Sequence, residues 1–219
     1  MHSQVILFDG FDPLDALAPF EVLSAGATAS GGLLTVELVS AEGPRDVVSG
    51  VGAVSLRASA ALDPHRAGLL VVPGAAGRIG NDTAEETEDT IPVLLGRTLN
   101  TALPGLLGAA MADPELTVAT VCGGSLLLAM AGLLGGRHAT THHLGMDFLD
   151  ATGAEAVHAR VVDDGDVVSA AGLTSGLDLG LHLLERELGP RVAHAVEQLF
   201  AHERRGVVWR ASGPVPAAF

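Results

Sequence analysis

Residues 117–134 read TVATVCGGSLLLAMAGLL, a short β-branched run that meets the chain's one cysteine and passes into a long Ala/Leu/Met stretch. Thr117, Val118, Thr120 and Val121 suit a buried strand. Leu126 to Leu134 predicts a packed helix bounded by glycines. Cys122 falls at the junction, where Gly123 and Gly124 permit a tight turn without a Cβ. The thiol is therefore expected at a strand's carboxyl end and a helix's amino end, the place where open α/β sheets put their ligands.

Working outward, the same alternation recurs. Gln4 to Phe8 is a short apolar run that Asp9-Gly10 ends, and Asp12-Pro13 opens a helix on which Asp15, Ala18 and Val22 share a face. The residues from Gly26 to Gly32 are expected to close that unit. Leu33 to Ser40 reads as a second strand, and Val47–Val48 with Ala53–Leu56 as a hairpin around Ser49 to Gly52. Leu69 to Val72 is another buried strand, ending in the small residues Pro73-Gly74-Ala75-Ala76-Gly77, which make a tight turn or let a ligand approach the backbone N–H groups. Asn81 to Asp89 reads as a solvated loop or a helix's exposed start, and Leu94 to Met111 as a helix that Pro104 kinks or breaks near Leu103.

Beyond the cysteine, Arg137 to Thr141 predicts a short strand and His142 to Thr152 a helix ending at Gly153. Ala156–Val162 and Val167–Ala170 read as two strands about the turn Asp163 to Asp166. Helical patterns follow from Thr174 to Glu187 and from Arg191 to Arg204, with Gly189-Pro190 between them. Residues 206–219 are expected to be an irregular tail. The alternation predicts one domain over residues 1–219, an α/β fold with a doubly wound, mostly parallel sheet sandwiched by helices, plus a small β-hairpin excursion.

Composition narrows the function. Twenty-six acidic residues face twelve basic ones, all arginine, for a net charge of −14. That balance opposes nucleic acid and anionic membranes as partners. No apolar run reaches the 18 or so residues of a membrane span, and Met1 to Leu7 lacks a basic secretory start, so a cytoplasmic location is expected. A lone cysteine leaves a structural thiol, a redox thiol or a nucleophile. A helix amino terminus could lower its pKa, and the N–H groups of Gly123 with Gly74 or Ala75 could form an oxyanion cradle. Asp15 reads either as a proton carrier or as a helix-start residue. Glu21 is a rival acid on another part of the helix and reads as structural. His138, His142 and His143 lack a third ligand in a recognised metal spacing, so no metal or cofactor is expected. His142 or His143 could line a pocket or pair with the cysteine. Asp178 reads as a carboxylate in the first turn of the helix from Thr174.

Four segments together resemble the ThiJ/PfpI superfamily, the class I glutamine-amidotransferase-like proteins, and within it the isonitrile hydratase branch. They are FDGFDPLDALAPFEVL, VVPGAAG, TVCGGSLLLAMAGLLGGRHATTHH and VVDDGDVVSAAGLTSGLDLGLHLLERELG. The resemblance implies a flavodoxin-like sandwich, usually dimeric, with Cys122 as nucleophile on a strained elbow and Asp15 as the acid beside it. It implies hydration of a small isocyanide to an N-substituted formamide. Three positions depart from the branch: Ala18 stands where a glycine is usual, Gly123 where a threonine follows the cysteine, and Ala75 where the PGG turn has its second glycine, a change that keeps the backbone N–H. A glyoxalase- or amidase-like hydrolase and a thiol redox sensor are the alternatives. Some relatives carry a helix-turn-helix domain after this fold, which the short segment after Arg204 and the acidic charge oppose.

Overall fold

The computed structural model describes residues 1–66, 68–78, 89–215 and 217. The chain opens with β1 (His2–Ile6) and α1 (Pro13–Ala29), then β2 (Thr35–Ser40), β3 (Arg45–Val48), β4 (Ser55–Ala58), β5 (Ala60–Ala61) and β6 (Gly68–Val72). Next come α2 (Ile91–Thr98), α3 (Leu103–Met111), β7 (Leu116–Val121), α4 (Gly124–Met130) and β8 (His138–Ala139). A 3-10 turn (His143–Gly145) leads into α5 (Met146–Ala151), β9 (Glu155–Ala156), β10 (Val161–Asp163), β11 (Val167–Ala170), α6 (Ser175–Leu188) and α7 (Pro190–Phe200).

Seven strands form one sheet in the order β10-β11-β7-β6-β1-β2-β5. All neighbours are parallel except β10, which runs antiparallel to β11. Val5, Ile6, Leu70, Val71, Val118 and Val121 are buried, as expected of strands covered on both faces. Helices α1, α6 and α7 pack on one another, while α3 and α4 meet β7, and α2 and α5 lie beside α4. The fold is the expected helix-flanked, mostly parallel sheet, and β3 with β4 is the expected antiparallel hairpin. From β1 the chain moves outward to β2 and then returns to β6 on the other side. The carboxyl ends of β1, β6 and β7 thus converge at the switch point of the sheet, where a crevice forms. Among the described residues no helix is long and apolar enough to cross a membrane.

Several boundaries differ from the sequence reading, each for a local reason. Helix α1 runs through Gly26, because that glycine packs directly on Leu184: a Cβ there would lie 2.2 Å from Leu184 Cδ2. The expected break near Leu103 is a full one, with Pro104 in the first turn of the new helix, where its missing N–H costs nothing. Helix α4 stops at Met130, before Leu134, as Gly132 turns left-handed at φ 76°. His142 does not start a helix; its side chain caps the 3-10 turn by accepting from the Leu144 N–H. The strand expected over Ala156–Val162 is two short ones, β9 beside β8 and β10 beside β11. Arg204 lies beyond α7, which ends at Phe200 with Ala201 left-handed at φ 48°.

The tail is also less irregular than expected. Trp209 donates its N–H to Val161 O at 2.9 Å and accepts from the Asp163 N–H at 2.9 Å, so it caps the free edge of β10. The loop expected at Asn81 to Asp89 lies outside the described residues but for Asp89, which pairs with Arg78.

Candidate active site

At the end of β7 the backbone leaves the sheet at Cys122, whose φ is 54°. A left-handed conformation is strained for a residue with a side chain, by about 1–2 kcal/mol. Two bonds hold it: the Cys122 N–H donates to Ala170 O at 2.9 Å, and the Thr141 hydroxyl donates to Cys122 O at 2.6 Å. The turn's conformational demand therefore falls on the cysteine itself. Gly123 is right-handed at φ −66°, and Gly124 serves close approach, since a Cβ there would sit 2.2 Å from Val72 O.

Asp15 reaches this elbow from the first turn of α1. Asp12 caps that helix by accepting from the Leu14 N–H at 2.9 Å, Pro13 occupies its first turn, and Asp15 is fully buried. The Gly74 N–H, from the turn after β6, donates to Asp15 Oδ2 at 3.0 Å, while Oδ1 has no well-formed hydrogen bond. A Cβ at Gly74 would lie 2.6 Å from Gly123 N and 2.8 Å from Asp15 Oδ2, so only glycine lets α1, β6 and the elbow meet.

Burial and the nearby Asp12 charge raise the Asp15 carboxyl to about 8, against smaller opposing effects of the Gly74 N–H and the Cys122 thiol. Burial, and then the Asp15 charge, push the thiol well above its ordinary range, and the Gly123 N–H offsets only part of this. The expected lowering by the helix terminus is thus overturned. One N–H cannot outweigh desolvation and a neighbouring carboxylate. At neutral pH the pair holds both protons, and the two groups titrate as one system.

The half-buried thiol opens onto a cleft of about 1400 Å³ whose walls include Leu94, Leu95, Leu126, Met130, Phe148 and Leu173. Val48 and Val51 from the β3–β4 hairpin form one rim, and Leu144 another. Asp15 does not line the cleft and sits behind the sulfur. Gly123, Ala75 and His142 do line it. Of the expected cradle, Gly74 is not available, as its N–H is committed to Asp15. The Gly123 N–H points to the sulfur, and the Ala75 N–H donates to no acceptor among the described residues. His142 stacks on His143 with ring centroids 4.2 Å apart, and burial and that neighbour lower its pKa.

The other candidates lie elsewhere. Glu21 is exposed on α1. Asp178 holds Arg160 at 2.7 Å and the Arg205 N–H at 2.7 Å, which ties the tail to α6. His138 pairs with Glu155 and Asp164 and lies against the Trp209 ring. No group of three metal-binding side chains occurs among the described residues. Two residues at the site escaped the sequence reading. Asp12 was visible only as a helix start, and Thr141 lay in the ATTHH segment with no local pattern linking it to position 122.

The fold and the elbow define a class of α/β sandwich proteins that mount a cysteine on a left-handed strand-to-helix turn above a buried acid. The chain belongs to the DJ-1/PfpI family, whose model matches residues 3–186. It is 31% identical over 192 residues to the isonitrile hydratase of Pseudomonas putida, covering 88% of this chain and 74% of that protein. It is 28% identical over 190 residues to protein DJ-1 homolog A of Arabidopsis thaliana, covering 87% of this chain and 44% of that longer protein. Among solved structures, a THiJ/PfpI family protein from Pseudomonas syringae superposes with a TM-score of 0.74 at 23% identity, over 94% of this chain and 76% of that one.

Proposed function

We propose that this chain is a cysteine-dependent hydratase that converts small apolar isonitriles to N-substituted formamides. The observation that carries the reading is a left-handed Cys122 at the foot of an apolar cleft with the buried Asp15 carboxyl behind its sulfur, where burial raises the pKa of both groups. An isonitrile carbon accepts a proton and a nucleophile at the same atom, which is what such a pair can deliver. Cys122 Sγ bonds to the terminal carbon and the thiol's own proton passes to that carbon, while the protonated Asp15 carboxyl behind the sulfur holds Sγ and keeps the site uncharged. The product of this step is a thioimidate, with the former isonitrile carbon bearing one hydrogen, nitrogen and sulfur. Water adds to that carbon, one of its protons goes to nitrogen and the other to sulfur as the C–S bond breaks. The Ala75 N–H, which has no acceptor among the described residues, is the donor available to the developing oxygen, and the Gly123 N–H stays on the sulfur. Cys122, Asp15, Gly123, Ala75 and His142 form the proposed site, with Gly74 orienting Asp15.

The same reading takes the protein as a cytoplasmic homodimer acting on a small molecule; light scattering that returned a monomer mass would remove the dimer. A thiol redox sensor is the remaining alternative, and stoichiometric oxidation of Cys122 by mild peroxide without isocyanide turnover would favour it over the hydratase. Gly123 supports a second reading, an aldehyde or acyl substrate. A Cβ at 123 would have no neighbour closer than Gly74 Cα at 3.5 Å, so a carbonyl oxygen fits beside the thiol. Incubation with an alkyl isocyanide should yield formamide with the native protein and none with Cys122→Ser. No turnover with an intact thiol would sink the hydratase reading, and methylglyoxal loss that survives Cys122→Ser would sink the second.

A further inference from the structure

The geometry points to Thr141 as a positioning residue for Cys122, one that holds the sulfur against Asp15 through the cysteine's own carbonyl. The inference takes Cys122 as the reacting group but does not depend on what it reacts with. A residue turned left-handed at the end of a strand swings its carbonyl out of the ladder. No backbone N–H donates to Cys122 O among the described residues. The Thr141 hydroxyl, itself 1% exposed, is the group that satisfies it, at 2.6 Å.

The hydroxyl is delivered from a fixed base. Just before it, the Thr140 N–H donates to Ser169 Oγ at 2.9 Å and Thr140 Oγ1 to Ala159 O at 3.1 Å. Ser125 Oγ, beneath α4, donates to Thr140 O at 2.7 Å and lies 2.6 Å from Thr120 Oγ1. These bonds fix the backbone at Thr140 to β7, β11 and α4, one residue before the hydroxyl that meets the elbow carbonyl. Without the Thr141 hydroxyl the partly buried Cys122 carbonyl loses its partner beside a strained φ, and both penalties are relieved by rotating Cys122 back toward the extended region. That rotation moves Sγ away from Asp15 and the Gly123 N–H.

Coupling between Asp15 and Cys122 is the readout that a merely structural role would not move. The charged groups acting on the sulfur are Asp15 and, more weakly, Asp12, and His142 shares the cleft. In the native protein, Asp15→Asn should move the pH midpoint of Cys122 alkylation by iodoacetamide downward by about one pH unit. In a Thr141→Val background the same change should move it by less than about a third of that. Thr141→Ser should restore the full shift. Thr140→Val, which removes a neighbouring hydroxyl of the same network, should lower thermal stability and keep the shift. An undiminished Asp15 effect in folded Thr141→Val overturns the inference, as does an equal loss in Thr140→Val. If Thr141→Val does not fold, Thr141→Ala takes its place, and failure of both to fold would make the bond a requirement of the fold and also overturn it.

Discussion

Replacing Asp15 by Asn should make the protein progressively more stable than the native form as pH rises from about 4 to 8. The amide oxygen can still accept the Gly74 N–H, which lies 3.0 Å from Asp15 Oδ2, and the volume is unchanged, so the substitution mainly removes a titration. The buried carboxyl has its pKa at about 8, against 3.8 for the group when solvated. Between those values the folded protein holds a proton that the unfolded chain has released. Each unit of rising pH therefore takes about 1.4 kcal/mol from the native folding free energy. Over the whole interval the native protein loses about 5 kcal/mol relative to Asp15→Asn, a large part of the stability of one domain. Urea unfolding of both proteins at pH 5, 6.5 and 8 measures the difference, in which the other titrating groups cancel. A difference independent of pH to within about 0.5 kcal/mol would show that Asp15 titrates as a solvated carboxyl, and would refute the reasoning from burial.

Hydration should fall as pH rises through about 8, the value at which Asp15 loses its proton; a rate that climbs through that range would make thiolate, rather than the acid, the limiting species. Gly123→Thr should fold with stability within about 0.5 kcal/mol of native, since the position is right-handed at the start of α4 and has room for a Cβ. Gly124→Ala, whose Cβ would meet Val72 O at 2.2 Å, should cost about 2 kcal/mol or more in thermal or urea unfolding. Burial works to raise the pKa of Asp163, but bonds from His182, the Gly165 N–H and Arg210 outweigh it and hold the carboxyl well below its usual range. Asp163→Asn should cost about 3 kcal/mol and shift the emission of Trp209, the one tryptophan, as the tail leaves β10. With a depressed carboxyl the stabilisation is present above the unfolded value and lost on acidification, so native Trp209 emission should shift only well below pH 5.

The fold was legible wherever punctuation and apolar runs coincide. Asp9-Gly10 and Pro73-Gly74 follow the ends of β1 and β6, and Asp12-Pro13 marks the start of α1. The meeting of Cys122 with Asp15 was foreshadowed by the short first loop, which leaves the acid one turn into α1. What the sequence does not carry is burial and direction. Glycines at 123 and 124 draw the eye to a flexible turn, while the strain sits on the cysteine before them. A helix terminus argues for a lowered thiol pKa, but the degree of desolvation, which decides the sign, depends on packing from α1 and β6. Gly74 was read as an open donor because nothing local shows that its N–H is taken by a carboxylate 59 residues away. Thr141 acts through one long-range bond and Trp209 through two, which leave no periodicity to detect.

The claim that Cys122 and Asp15 act together on an isonitrile carbon is tested most directly by intact-protein mass spectrometry after acid quench of a reaction with an alkyl isocyanide. The account predicts that a species heavier by one whole isocyanide molecule, located on Cys122, builds up within the first turnover and is absent from Cys122→Ser. It should form far more slowly in Asp15→Asn. Formamide appearing with no adduct in the native protein, or with Cys122→Ser as active as native, would contradict it.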